Sequence, residues 1–308
     1  MLLKREKLIG AIAISFAAAL WGVDGIVLTP RLYNLDVAFV VFLLHALAFA
    51  IMNTFLFREY RALKSFNRSD YVTFLLIALF GGAIGTMAMV HALFLVDFQK
   101  LTIVILLQKL QPIFAIALAM IFLRERMRKN YFYWASLAIV AGYFLTFGAG
   151  TPNFNTGDNT LEAALFSLLA AFSFGSSTVL SKKILGRYSF HTATFYRYGF
   201  TTVIMLLYIL IAGLYFQFEA VSGENWLIFL IIALTTGSGA IFLYYFGLRK
   251  VRAVIATICE LFFPITAIIL DYILNDQRLS WVQWLSAFFM LFAIINLNLS
   301  NSRQKETA

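Results

Sequence analysis

Residues 101–123 read LTIVILLQKLQPIFAIALAMIFL, and residues 253–274 read AVIATICELFFPITAIILDYIL. At about 1.5 Å per residue, each run is long enough to cross a hydrocarbon layer of about 30 Å as a helix. Neither alternates apolar and polar residues as a membrane β-strand must. Both carry polar side chains just before a proline: Gln108, Lys109 and Gln111 before Pro112, and Glu260 before Pro264. An ionised side chain at bilayer depth costs about 2.5–3.5 kcal/mol on insertion scales, so Lys109 and Glu260 are expected to face protein or water.

Outward from these two runs, long apolar stretches bounded by charged or turn residues recur along the chain. They fall at 8–28, 36–57, 71–94, 101–123, 131–149, 160–181, 190–216, 226–247, 253–274 and 280–299. The 308 residues are 62% hydrophobic and 13% charged, with a mean hydropathy of +0.85, which excludes an ordinary soluble enzyme. The expected fold is an all-α membrane protein with ten transmembrane helices. Residues Lys4-Arg5-Glu6-Lys7 and the apolar run behind them imitate a secretory leader, but the run continues through Trp21 to Leu28 and reads as a retained first span. With one cysteine, Cys259, an intramolecular disulfide is impossible.

Counting alternate connections assigns the basic residues to sides. Of 24 Lys and Arg, 19 fall on one side, only Arg31, Lys100 and Arg278 on the other, and Lys109 and Arg197 within spans. By the positive-inside rule both termini are expected to be cytoplasmic. The net charge of +9 is thereby accounted for by orientation, and no nucleic-acid partner is expected.

The chain also repeats itself. Adding 152 maps Gly85 to Gly237, Ile103 to Ile255, Pro112 to Pro264 and Ala141 to Ala293; adding 153 maps Gly22 to Gly175 and Phe42 to Phe195. The expected domains are residues 1–150 and 151–308, each a five-helix repeat. Because five is odd, the second copy enters the membrane from the opposite face, giving two inverted repeats able to rock about a site at their interface.

Ala17-Ala18-Ala19-Leu20-Trp21-Gly22, Phe195-Tyr196-Arg197-Tyr198 and the span ends Leu123-Arg124-Glu125-Arg126-Met127 and Asn275-Asp276-Gln277-Arg278-Leu279 carry a further signal. In them the chain, over about residues 8–299, resembles the EamA family of the drug/metabolite transporter superfamily. The resemblance implies a ten-helix bacterial inner-membrane carrier, often of amino acids or related metabolites, with a central cavity lined from both halves. Against that family's usual pattern, Gln111 and Phe263 stand where an acidic residue commonly precedes the proline, and Leu44 where the second span commonly has arginine.

Several side chains are candidates for substrate binding or translocation. Under the repeat, Gln108, next to Lys109, is the counterpart of Glu260, and Lys109 is roughly 13 Å from the outer end of its span. Lys109 and Glu260 are expected to face the cavity, pairing when it is empty or meeting the two ends of a zwitterion; the alternative is a structural pair fixing helix register. Pro112 and Pro264 each remove a backbone donor and are candidate helix kinks. Asp24 either binds a proton or a substrate amine, with Trp21 as an aromatic wall, or is a solvated residue at the cavity mouth. His91 and His45 are lone histidines that relay protons or simply pack. Arg197 reaches cytoplasmic phosphates or an anionic substrate. Asp271 reads as an interfacial carboxylate. The glycines around Gly81, Gly82 and Gly85 allow close helix approach.

No metalloprotease, nucleophile-elbow or phosphate-loop motif is present, so no enzyme and no cofactor or metal is expected. The chain reads as a secondary carrier working by alternating access on a small-molecule substrate. An amino-acid-like zwitterion leads, and a nucleoside-bearing metabolite such as S-adenosylmethionine follows. A solute channel and a membrane-embedded enzyme are the readings from other classes. The lipid bilayer is a certain partner; protons and a second copy of the chain are candidate partners.

Overall fold

A computed structural model of the protein describes residues 2–96, 101–111, 113–115, 117–118, 129–149, 159–251, 256, 259–276 and 278–302. Among the described residues the chain is helical, with no strand. Six segments are long and apolar enough to cross a membrane: Arg5–Leu32, Val37–Ser65, Arg68–Leu95, Thr160–Leu185, Phe190–Ile211 and Gly223–Lys250. Shorter apolar helices cover Leu101–Gln108, Phe132–Leu145, Phe262–Asn275 and Trp281–Asn296. The predicted kink residue Pro112 lies outside the described residues.

In chain order the α-helices are α1 (Leu2–Val23), α2 (Val37–Leu56), α3 (Arg68–Ile77), α4 (Gly85–Leu95), α5 (Leu101–Gln108), α6 (Lys129–Phe147), α7 (Thr160–Leu185), α8 (Phe190–Ile211), α9 (Gly223–Leu234), α10 (Ser238–Lys250), α11 (Phe262–Asn275) and α12 (Trp281–Ser302). Polar residues flanking the apolar runs set where several of them start. The Asp36 carboxylate accepts from the Ala38 and Phe39 amides at the head of α2. Reciprocal capping boxes, Asn67 with Asp70 and Ser222 with Asn225, open α3 and α9, and the Ser189 hydroxyl caps α8 through the Thr192 amide. Each such cap satisfies helix-end donors and is worth about 1 kcal/mol.

Among the described residues several apolar runs depart from a plain helix. The first leaves α-geometry at Asp24–Leu28, a π turn followed by a 3₁₀ turn over Thr29–Leu32. The seventh, expected to reach residue 216, stops at Ile211, because Gly213 takes a left-handed conformation (φ +70°) and the chain continues as a 3₁₀ segment, Leu214–Ala220. The eighth, 226–247, is not one helix: α9 and α10 are separated at residues 235–237. There the Gly237 amide bonds the Ile232 carbonyl (2.7 Å) and the Ala240 amide the Thr235 carbonyl (2.8 Å), both five residues back. A β-branched pair followed by glycines is a poor helix interior. At the repeat-related place, between α3 and α4, lies the π turn Ala78–Ile84.

The packing has a regular pattern. Helix α1 lies against α10 and α11, while α7, its counterpart under the repeat, lies against α4 and α5. Helices α2 and α8 pack on each other, as do α6 and α12. The glycines Gly81 and Gly82 face Ser177 and Arg197, and Thr201, so this small-residue stripe is used within the chain to let the 78–84 turn sit against α7 and α8. Large apolar side chains such as Ile211, Phe132, Trp281 and Phe288 are exposed on the outside, the surface that lipid covers.

Polar ties fasten both ends of the bundle. At the end rich in basic residues, the buried Asp70 accepts from Arg187 (2.6 Å) and the Tyr188 hydroxyl (2.8 Å), joining α3 to the α7–α8 connection. At the other, Asn34 and Asn225 exchange hydrogen bonds at 3.2 Å, and Asp271 accepts from the backbone and hydroxyl of Thr102 (3.1 and 2.8 Å) and from Asn275 (2.8 Å). Asp271, expected as an interfacial carboxylate, is 2% exposed and joins α11 to α5.

Candidate functional site

Two of the helix interruptions, at 24–28 and at 235–237, line a cavity of about 210 Å³ whose wall draws on both halves of the chain. Lys109 and Glu260 meet in its wall. Helix α5 ends at Gln108, so Lys109 follows its carboxyl end; α11 begins at Phe262, so Glu260 precedes its amino end. A cation suits the first position and an anion the second, each by about 0.3–1 kcal/mol, because of the partial charges at helix ends. The Lys109 ammonium lies 3.5 Å from Glu260 Oε2, with both side chains at least nine-tenths buried, and 4.7 Å from the centre of the Phe263 ring. Glu260 Oε1 accepts a hydrogen bond from the Tyr244 hydroxyl at 2.7 Å. Tyr244 in turn packs on Trp21, ring centres 5.3 Å apart.

Pro264 lies in the first turn of α11, where a missing amide hydrogen costs little. Rather than kinking a continuous helix, it follows the start of one. The Glu260 carbonyl, which a residue other than proline at 264 would have bonded, accepts from the Phe263 amide at 3.1 Å.

Beside the ion pair, Gln108 Nε2 donates to Gln111 Oε1 (2.9 Å), and Gln111 Nε2 donates to the Thr178 hydroxyl (3.1 Å). Gln108 Oε1 is buried and has no hydrogen-bond partner among the described residues. Buried acceptors are nearly always bonded, so an unpaired one in a cavity wall marks a place for a donor to arrive.

Asp24, read either as a binding carboxylate or as a solvated residue at the mouth, lines the cavity from its π turn. Its carboxylate accepts from Thr236 (3.0 Å), in the break between α9 and α10, and from Thr29 (3.2 Å). Arg197 does not reach outward to phosphates. It is drawn into the cavity wall, where it donates to the Tyr245 hydroxyl (3.2 Å) and the Gly81 carbonyl (2.8 Å). His45 also lines the cavity, Nδ1 on the Val41 carbonyl at 2.8 Å and the ring against Tyr198. His91 is not among the lining residues; it lies 3.9 Å from Glu162, with its ring edge-on to Phe166.

Thus Trp21, Asp24, Gln108, Lys109, Gln111, Arg197 and Glu260 come together, and His91 stands apart. Sequence reading missed Tyr244, Tyr245, Thr178 and Thr236. Hydroxyl-bearing residues inside an apolar run are a usable signal, since each needs a partner in lipid. The partner itself is a tertiary matter. Among the described residues no group of three or more His, Cys, Asp or Glu has the grouping of a metal site.

Apolar helices of membrane length around a cavity that mixes aromatic rings with buried charge define a multi-pass membrane carrier. The chain belongs to the EamA-like transporter family, whose sequence pattern it matches over residues 8–148 and again over 161–299. It is therefore a membrane transporter of small metabolites and not an enzyme. It is 50% identical over 293 residues to the riboflavin transporter ImpX of Fusobacterium nucleatum subsp. nucleatum, an alignment covering 95% of this chain and 98% of that protein. A crystal structure of a protein with 15% sequence identity shares the fold, with a TM-score of 0.59 over 95% of this chain and 98% of its own.

Proposed function

We propose that the protein carries riboflavin, or a metabolite bearing the same isoalloxazine ring, across the bacterial inner membrane by alternating access. The observation that carries this reading is the 50% identity to a riboflavin transporter over nearly the full length of both chains. The chemistry of the cavity agrees with it. A tricyclic ring asks for flat aromatic surfaces, and Trp21, Tyr244 and Phe263 supply them. Ring carbonyls and ribityl hydroxyls ask for donors and acceptors, and the two glutamines, Asp24 and Thr236 supply those. The cavity is smaller than the roughly 300–1,000 Å³ usual for drug-sized ligands, so substrate entry requires the walls to separate.

In this reading the chain crosses ten times, as five-helix repeats 1–150 and 151–308 in opposite orientation, with both termini cytoplasmic. The exchanged contacts of α1 and α7 support that arrangement, since an inverted pair related by an axis in the membrane plane would pack in this way. Movement of the halves about the breaks at 78–84 and 235–237 would open the cavity to one side and then the other.

A second reading keeps an amino-acid-like zwitterion as substrate, favoured by one observation: opposite charges 3.5 Å apart in the cavity wall. Counterflow in proteoliposomes separates the two. Liposomes preloaded with unlabelled riboflavin should accumulate labelled riboflavin transiently, and a mixture of amino acids should not compete. Competition by an amino acid, with no riboflavin exchange, would reject the flavin reading. Adding a proton ionophore in the same assay tests coupling to protons.

A further inference from the structure

We infer that Gln108 reads the imide edge of the isoalloxazine ring, accepting the hydrogen bond of its N3–H at Oε1 and donating from Nε2 to the adjoining ring carbonyl; the inference rests on the flavin reading above. Gln108 is 4% exposed and lines the cavity, and its Oε1 is buried without a partner while its Nε2 spends one of two hydrogens on Gln111. A side-chain amide in this state offers one acceptor beside one donor in a plane. The imide of an isoalloxazine offers the complement, an N–H beside a carbonyl, and N3–H is the ring system's sole N–H donor. The other carboxylate and amide oxygens of the cavity wall already accept at least one bond each: Glu260 from Tyr244 with Lys109 beside it, Gln111 Oε1 from Gln108 itself, and Asp24 from Thr236 and Thr29. Lys109, next along the chain and beside Phe263, retains ammonium hydrogens for the second ring carbonyl. The aromatic group of Phe263, Tyr244 and Trp21 lies in the same wall, so a ring whose edge met Gln108 would have flat surfaces beside it.

A site built to bond a polar hydrogen rejects an analogue that lacks it, because the buried partner is left unsatisfied. The test compares riboflavin with 3-methylriboflavin, in which a methyl group replaces that hydrogen, by quenching of flavin fluorescence on titration of the purified full-length protein. The native protein should bind riboflavin at least about tenfold more tightly than the methylated compound. Gln108→Leu should weaken riboflavin and bring the ratio close to one. Equal binding of the two flavins by the native protein, or a preference that survives in Gln108→Leu, overturns the assignment while leaving riboflavin transport in place. Absence of riboflavin binding altogether overturns the flavin reading and this assignment with it. The comparison of the two ligands on the native protein needs no substitution, so a poorly folded variant does not decide the outcome.

Discussion

Gly22 on α1 crosses α11 directly at the carbonyl of Phe263: a Cβ built on Gly22 would stand 2.9 Å from that oxygen and 2.7 Å from Thr266 Cβ. The same crossing recurs in the other half. Gly175 on α7 meets the carbonyl of Gln111, with its added Cβ 2.9 Å from that oxygen and 3.2 Å from the Ala115 amide nitrogen. Phe263 and Gln111 are equivalent under the repeat, and each immediately precedes a proline. Two glycines thus bring α1 against the start of α11 and α7 against the residues that follow α5, the two segments whose Glu260 and Lys109 pair at 3.5 Å.

Filling these crossings should separate the walls. Gly22→Val and Gly175→Val are each expected to lower stability by about 1–3 kcal/mol, as overpacking does. They should also reduce exchange strongly, whereas Gly223→Ala, with open space around it and no left-handed backbone, should leave exchange unchanged. Thermal midpoints in detergent and counterflow rates measure the two effects.

Removing one member of the buried ion pair leaves the other charge without compensation. Lys109→Met or Glu260→Gln alone should cost about 3–5 kcal/mol, and the double variant should recover part of that loss because no lone charge remains. If the pair contacts substrate, the double variant regains its melting temperature without regaining transport. Full transport by the double variant would assign the pair to structure alone.

Asp24 holds α1 to the break between α9 and α10 through Thr236. Thr236→Val deletes the donor and should destabilise by about 0.5–1.5 kcal/mol, since the half-buried carboxylate loses one of its two bonds. If Asp24 carries the coupling proton, Asp24→Asn should exchange substrate yet fail to concentrate it when a pH gradient is imposed. Concentrative uptake by Asp24→Asn would remove the residue from that role.

Arg197 bridges the π turn at 78–84 and Tyr245 with two different nitrogens. Arg197→Lys keeps the charge but cannot span both acceptors, so it should lower the thermal midpoint and substrate affinity together. Tyr245→Phe should show a smaller loss of about 0.5–1.5 kcal/mol. Isothermal titration alongside melting curves would check the ranking.

Ser222→Ala breaks the capping box of α9, whose residues Ser222 and Asn225 do not line the cavity. A loss of about 1 kcal/mol in stability is expected, with substrate affinity unchanged. A change in affinity would connect that end of the bundle to the binding site.

Much of the site was legible in residues 101–123 and 253–274. The cost of a lone charge in hydrocarbon requires Lys109 and Glu260 to find water or each other, and the repeat places them on equivalent helices. Hydropathy located most helix bodies to within a few residues, because burial in lipid depends on composition summed over a long window. It misjudged the run at 226–247, where residues 235–237 leave the helix while staying apolar enough to be counted in it. It also left Asp24 open between a binding carboxylate and a solvated residue at the cavity mouth, because depth along a run reveals neither the π turn nor the Thr236 hydroxyl that meets it.

Local terms, the hydrocarbon preference of each run and the sidedness of its basic flanks, needed no knowledge of neighbours, and so the chain's composition and order already determined a helical membrane protein with a charged interior. Which groups close the cavity was decided only on assembly. Tyr244 on Glu260, Thr236 on Asp24, Tyr245 on Arg197 and the unpaired oxygen of Gln108 depend on distances between helices remote in sequence. A hydrogen bond weakens steeply with small errors in distance and angle, and no periodicity along one strand of sequence carries that information.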